Sequence, residues 1–81
     1  MSIKARIKEI ILDIVEMEEH EIGDDELFSE HGVDSLTALD ILTELEREYR
    51  IKLSENVLRE FTTINQIVIA VERSIEAPVT A

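Results

Sequence analysis

Cysteine is missing from the chain, which excludes a disulfide framework, a thiolate metal site and any thiol chemistry of the protein's own. A thiol used by this protein must therefore arrive on a cofactor. Nothing approaches the roughly 20 consecutive apolar residues that span a bilayer, and the opening run Met1-Ser2-Ile3-Lys4-Ala5-Arg6-Ile7-Lys8 lacks the continuous apolar segment of a secretion signal. The expectation is a soluble, cytoplasmic protein. Positive charge is scarce as well: eight Lys and Arg stand against nineteen Asp and Glu, a formal net charge of -11. Such a surface repels nucleic acid and anionic membrane and favours basic protein partners. Solubility alone also accounts for acidity in many small proteins, so charge by itself leaves both readings open.

With 81 residues the chain has the size of one domain, and at this length only about 60% of the unfolded surface is buried, too little for a deep enclosed active site. Apolar residues, mostly Ile, Leu and Val, make up 44%, enough for a compact core. Ile3, Ile7, Ile10, Ile11, Ile14 and Met17 recur at helical spacing and predict a first helix over about residues 2–18. Its charges, Lys4, Arg6 and Lys8 early and Glu16, Glu18 and Glu19 late, oppose the helix dipole at both ends. From His20 to Asp34 the period is broken by Gly23 and Gly32, predicting a long loop pinned to the core by Ile22, Leu27 and Phe28.

Asp34 is a favourable N-cap, and a second helix is predicted over Ser35 to Tyr49, with Ala38, Ile41, Leu42, Leu45 and Tyr49 on the core face and Leu36 exposed. Ile51 and Leu53 lead to a brief helical turn capped by Ser54 and running through Val57 and Leu58 towards Phe61. Thr63 and Gln66 match a capping box, opening a last helix over about 64–76 whose apolar stripe is Ile64, Ile67, Val68, Val71 and Ile75. The expected architecture is all-α, a small bundle of three main helices plus one short helix with a long first loop. The domain would cover residues 1–76, and Pro78 marks 77–81 as a frayed, flexible tail.

Ser35 falls where a helix begins, and the unpaired amides and positive dipole end there suit an esterified phosphate. Asp34 and Ser35 also serve simply to start a helix, so position alone decides nothing. Catalysis by Ser35 itself would need a positioned base. His31 is the sequence-near candidate, but no Gly-x-Ser-x-Gly elbow surrounds the serine, and His20 and His31 read as ordinary loop histidines. Asp24-Asp25-Glu26 and Asp34 do not follow the spacing of a calcium loop, so no metal site is expected. Leu36 and Leu39, ringed by Asp34, Asp40, Glu44, Glu46 and Glu48, have the pattern of a partner-docking face, and equally of a solvated helix with two exposed leucines.

The run Leu27-Phe28-Ser29-Glu30-His31-Gly32-Val33-Asp34-Ser35-Leu36 resembles the phosphopantetheine-attachment motif of the acyl carrier protein family, and the likeness continues to the final helix. The resemblance implies a noncatalytic carrier. Ser35 would receive a covalent 4'-phosphopantetheine arm, taken from coenzyme A by a phosphopantetheinyl transferase, and acyl groups would ride on the arm's thiol as thioesters. It further implies that Asp34, Leu36, Leu39, Asp40, Thr43, Glu44 and Glu46 are read by acyl-transfer, ketosynthase or adenylating enzymes with basic patches, the carrier acting as a monomer. Carriers of primary fatty acid synthesis tend to be acidic where Thr37 and Arg47 stand, and peptidyl carriers often have a second glycine where Val33 stands. These departures point to polyketide or mixed polyketide-peptide biosynthesis, with fatty acid synthesis as the alternative. A rival of another class is an acidic helical interaction module without a prosthetic group.

Overall fold

The computed structural model describes residues 2–76, so the expected tail 77–81 lies outside the described residues. Three helices carry the fold: α1 (Ile3–Val15), α2 (Ser35–Tyr49) and α3 (Ile64–Glu76). α1 packs against both α2 and α3, and a 3-10 turn over Glu55–Glu60 packs between α2 and α3. That turn is the expected short helix. It is a 3-10 rather than an α-helical segment, and the hydroxyl of Ser54 does not cap it; the Ser54 carbonyl instead accepts from the Val57 N–H at 3.0 Å.

The helices form where apolar residues repeat on one face. Ile7 and Ile11 of α1, Ile41, Leu42 and Leu45 of α2, and Ile64, Ile67, Val68 and Val71 of α3 are buried in one cluster. Ala38 and Tyr49, expected on the core face, are only partly buried, and Ile75, expected on the last stripe, is 42% exposed in the last turn of α3. α1 ends at Val15, three residues short of the expected boundary. Glu16 turns left-handed at φ 58° and the Met17 N–H reaches back to the Leu12 carbonyl at 3.1 Å. The run of glutamates that opposes the dipole thus falls outside the helix. Met17 still packs on the core from beyond the helix end.

The long connection holds two short 3-10 turns, Glu19–Glu21 and Phe28–His31, which the sequence pattern did not separate from loop. Each spans too few residues to display a period. Ile22 and Phe28 are buried as expected, but Leu27 is 42% exposed, since its neighbour Phe28 takes the inward position. The loop is fastened to the start of α3. Phe28 donates its N–H to the Thr62 carbonyl at 2.9 Å, the Asn65 N–H donates to the Asp24 carbonyl at 3.0 Å, and the Asn65 side-chain amide donates to the Asp25 carboxylate at 2.6 Å. Thr63 accepts the Gln66 N–H at 3.1 Å, which begins α3 at the expected residue.

The early cations of α1 are matched by acids from elsewhere. Asp24 lies 2.8 Å from Lys8 and 3.3 Å from Lys4, and Lys8 also meets Glu19 at 3.2 Å. Arg6 is held by Glu48 of α2 at 3.1 Å and by Glu9 at 2.7 Å. The hydrogen bond from Lys8 holds the Asp24 carboxyl below the usual aspartate range, against partial burial that works the other way.

Two outcomes follow for stability. Leu45→Ala, at a fully buried site, lowers the unfolding free energy by about 2–5 kcal/mol in a denaturant titration. Asp24→Asn lowers the melting temperature at neutral pH. Because the folded carboxyl titrates below the unfolded one, the ion pairs stabilise fully above about pH 4, and their contribution disappears as pH falls through the lowered folded value. The gap between Asp24→Asn and the unaltered protein should therefore narrow in melts taken below pH 4.

Candidate functional site

Val33 and Asp34 bring the chain from the loop into α2, and the turn before them depends on Gly32. Its φ of 75° is left-handed, a conformation that a side chain disfavours even though a Cβ there would meet nothing within 4 Å. The Phe28 carbonyl accepts from Val33 at 3.1 Å, tying the end of the loop to its buried anchor. Asp34 then caps the helix, its carboxylate accepting from the Thr37 N–H at 2.9 Å and the Thr37 hydroxyl at 3.0 Å. These two bonds, the backbone one foremost, hold the Asp34 carboxyl below its ordinary range.

Ser35 is the first residue of α2 and is exposed. It borders an apolar cleft of about 200 Å³, walled by Leu27, Phe28 and Val33 of the loop, Ala38 of α2, and Leu58 and Phe61 beyond α2. Phe28 and Phe61 belong to the core, so the cleft's inner wall is the core's own surface. Sequence reading found Ser35 but not this cleft, because Leu58 and Phe61 reach it only through tertiary packing.

His31 is 3.6 Å from the Glu26 carboxylate, and no hydrogen bond joins it to Ser35 among the described residues. His20 lies exposed in the Glu19–Glu21 turn. Among the described residues no group of three or more His, Asp or Glu side chains is placed to hold a metal ion. No described helix is long and apolar enough to cross a membrane.

On the outward face of α2, Leu36 is 71% and Leu39 42% exposed, and Asp40, Thr43 and Glu44 are exposed beside them. Thr43 donates its hydroxyl to the Leu39 carbonyl at 3.0 Å, and Glu44 pairs with Arg47 at 3.3 Å. Glu46 is not part of this group. It is partly buried, and its carboxylate accepts from the Leu53 N–H at 2.9 Å, fixing the chain after α2. Asp40, Thr43 and Glu44 instead continue into a broad open trough between α2 and the second half of α1, where Glu9, Asp13, Glu16 and Glu18 also stand. Among the described residues Arg6 is the sole cation along it, and both its partners are acids of the same trough. This continuation onto α1 escaped the sequence reading, since it depends on which faces of the two helices meet.

Residues 5–71 match the family described as "Phosphopantetheine attachment site". Polyketide-8 synthase acyl carrier protein 1 of Streptomyces avermitilis is 35% identical over 72 residues, covering 88% of this chain and 86% of that protein. Its second counterpart, polyketide-8 synthase acyl carrier protein 2, is 37% identical over 62 residues, or 75% of this chain and 71% of that one. The solution structure of the oxytetracycline acyl carrier protein superposes on the whole chain, and on 92% of its own, with a TM-score of 0.74 at 18% identity. The crystal structure of the acyl carrier protein of Thermotoga maritima gives 0.73 at 18%, covering 89% and 85% of the two chains. Fold and sequence agree: this chain belongs to the acyl carrier protein family, a noncatalytic carrier with a phosphopantetheine attachment site.

Proposed function

We propose that Ser35 carries the 4'-phosphopantetheine arm, and that the protein bears acyl intermediates in polyketide or mixed polyketide-peptide biosynthesis in the cytoplasm. The observation that carries this reading is an exposed serine hydroxyl at the first position of α2, opening on an apolar cleft and lying within the matched residues 5–71. The arm fits these surroundings. A phosphodiester on Ser35 would lie at the positive end of α2, and the apolar wall of Phe28, Val33 and Leu58 offers cover to the less polar parts of the arm and cargo. When bound, the arm supplies the thiol that the cysteine-free chain lacks. The chain's own residues hold the serine in place: Asp34 starts the helix, Gly32 turns the backbone before it, and Phe28 anchors the loop. The Asp34 carboxylate is engaged by Thr37 and His31 lies by Glu26, and activation of the Ser35 hydroxyl is assigned to a phosphopantetheinyl transferase.

The polyketide setting rests on the carriers of polyketide-8 synthase and of oxytetracycline to which the chain is similar, together with Thr37 and Arg47, which thin the negative stripe on α2. Partner enzymes would be met at Leu36 and Leu39, with Asp34, Asp40, Thr43 and Glu44 around them. Apolar contact supplies affinity there, and the acids steer a basic patch into register. Glu46 contributes at most indirectly, through the connection it holds.

Incubation with coenzyme A and a broad-specificity phosphopantetheinyl transferase, followed by intact-mass measurement, tests the central assignment. The unaltered protein gains one phosphopantetheine, and Ser35→Ala gains none. Equal gain by Ser35→Ala, or no gain by either, overturns the reading. Asp40→Lys leaves the melting temperature nearly unchanged, because the residue is exposed. It raises the transferase's KM about tenfold at low salt, and the effect fades towards 0.5 M salt as the charges are screened.

A further inference from the structure

The trough between α1 and α2 is more than a row of acids. Its floor holds Ile10, Ile14 and Met17, each half-buried against the core and each lining the trough. One wall is acidic on α1, with Glu9 and Asp13 a turn apart and Glu16 just past the helix end. The other is acidic on α2, with Asp40, Glu44 and Glu48 at successive turns. Arg6 engages Glu9 and Glu48, and Arg47 engages Glu44. Among the described residues Asp13, Glu16 and Asp40 enter no ion pair, so unmatched negative charge stands on both sides of an apolar strip.

That arrangement selects the chemistry of an occupant. Nucleic acid and anionic lipid are repelled, and a basic chain without apolar side chains leaves the floor uncovered. A segment with cations on both sides of an apolar stripe satisfies floor and walls together. In a helix such a stripe arises from apolar residues at i, i+3 or i+4, and i+7, flanked by Lys or Arg, and a third helix packs into the groove between two others by ordinary ridge-and-groove contact. Asp40 and Thr43 also join the trough to the exposed leucines of α2, so an enzyme seated at Leu36 and Leu39 adjoins it.

We propose that this trough receives a basic amphipathic helix of a partner enzyme, its apolar stripe on Ile10, Ile14 and Met17 and its cations on Asp13, Glu16 and Asp40. The contact goes beyond those assigned to the Leu36 and Leu39 face and does not require the arm on Ser35. The floor spans about two turns of helix, roughly 11 Å, so the interface is small and of the weak, transient kind that lets a carrier leave one enzyme for the next.

The test titrates the isotopically labelled full chain, with no arm loaded, with a synthetic helical peptide of about five turns that bears leucines on one stripe and lysines on both flanks. Amide shifts change at Ile10, Asp13, Ile14, Met17 and Asp40 with a Kd of about 10–100 μM at low salt, and binding weakens about tenfold towards 0.5 M salt. A peptide of the same residues in scrambled order, lacking the stripe, binds about tenfold more weakly. Asp13→Lys combined with Glu16→Lys weakens the striped peptide by a similar factor while the melting temperature stays within about 2 °C, since both residues are exposed. The same charge change at Glu30 and Glu60, exposed and outside the trough, weakens it less than about twofold. Shifts scattered over the whole acidic surface or confined to Leu36 and Leu39, equal affinity for the scrambled peptide, equal loss in the two paired variants, or no binding overturns the proposal. So does self-association of the chain in sedimentation with shifts at the trough residues, which puts a second copy there instead. A Ser35 that accepts no arm leaves these readings untouched, and their failure leaves the arm in place.

Discussion

The fastening of the long first loop to the start of α3 governs the rest of the molecule. Phe28 is driven inward by its apolar ring and, once there, pairs its N–H with Thr62, while Asn65 binds the backbone of Asp24 and the side chain of Asp25. A loop of this length has much conformational freedom to lose, and burial of Ile22 and Phe28 would leave its polar backbone unsatisfied without those partners. The two effects work together. Burial fixes where the loop sits, and the hydrogen bonds to the α3 end fix its orientation. Gly32, Asp34 and Ser35 then inherit their places from Phe28, whose carbonyl holds Val33.

Charge follows a related logic. The cations of α1 oppose its dipole, but they lie where the loop and α2 bring acids: Lys4 and Lys8 meet Asp24, and Arg6 meets Glu48. Half-exposed pairs of this kind contribute little stability one by one, yet they occupy most of the positive charge on that side of the protein. What remains along the trough between α1 and α2 is mainly acidic. Asp13, Glu16 and Asp40 line the trough between α1 and α2, where Arg6 is already paired with Glu9 and Glu48, so the potential along it is predominantly negative.

A carrier needs few parts, and this small chain has room for few. The helix start presents a hydroxyl, an apolar cleft lies beside it, and the outward face of α2 is exposed and largely acidic. Each is built from the surface of the core rather than from a cavity within it, which is why Phe28 and Phe61 serve both packing and site.

The helices were legible in the sequence because their apolar residues keep one period and their caps are local. Asp34, Thr37 and the Thr63–Gln66 pair lie within one turn of each other, and α2 and α3 begin where those residues indicate. Ser35 was legible for the same reason. The end of α1 was less so, since the apolar pattern runs on to Met17 while the backbone turns away at Glu16. Leu27 and Phe28 compete for one inward position, and no local rule decides between neighbours of similar hydropathy. Glu46 reads as surface charge until the chain after α2 folds back and offers it the Leu53 N–H. The cleft and the trough join segments far apart in the chain, Val33 with Phe61 and Asp13 with Asp40, and periodicity carries no record of such meetings. The sequence by itself determined the helices, their caps and the serine at a helix start, all of which depend on residues a turn apart; tertiary packing alone decided what surrounds that serine, because its neighbours are set by which faces meet.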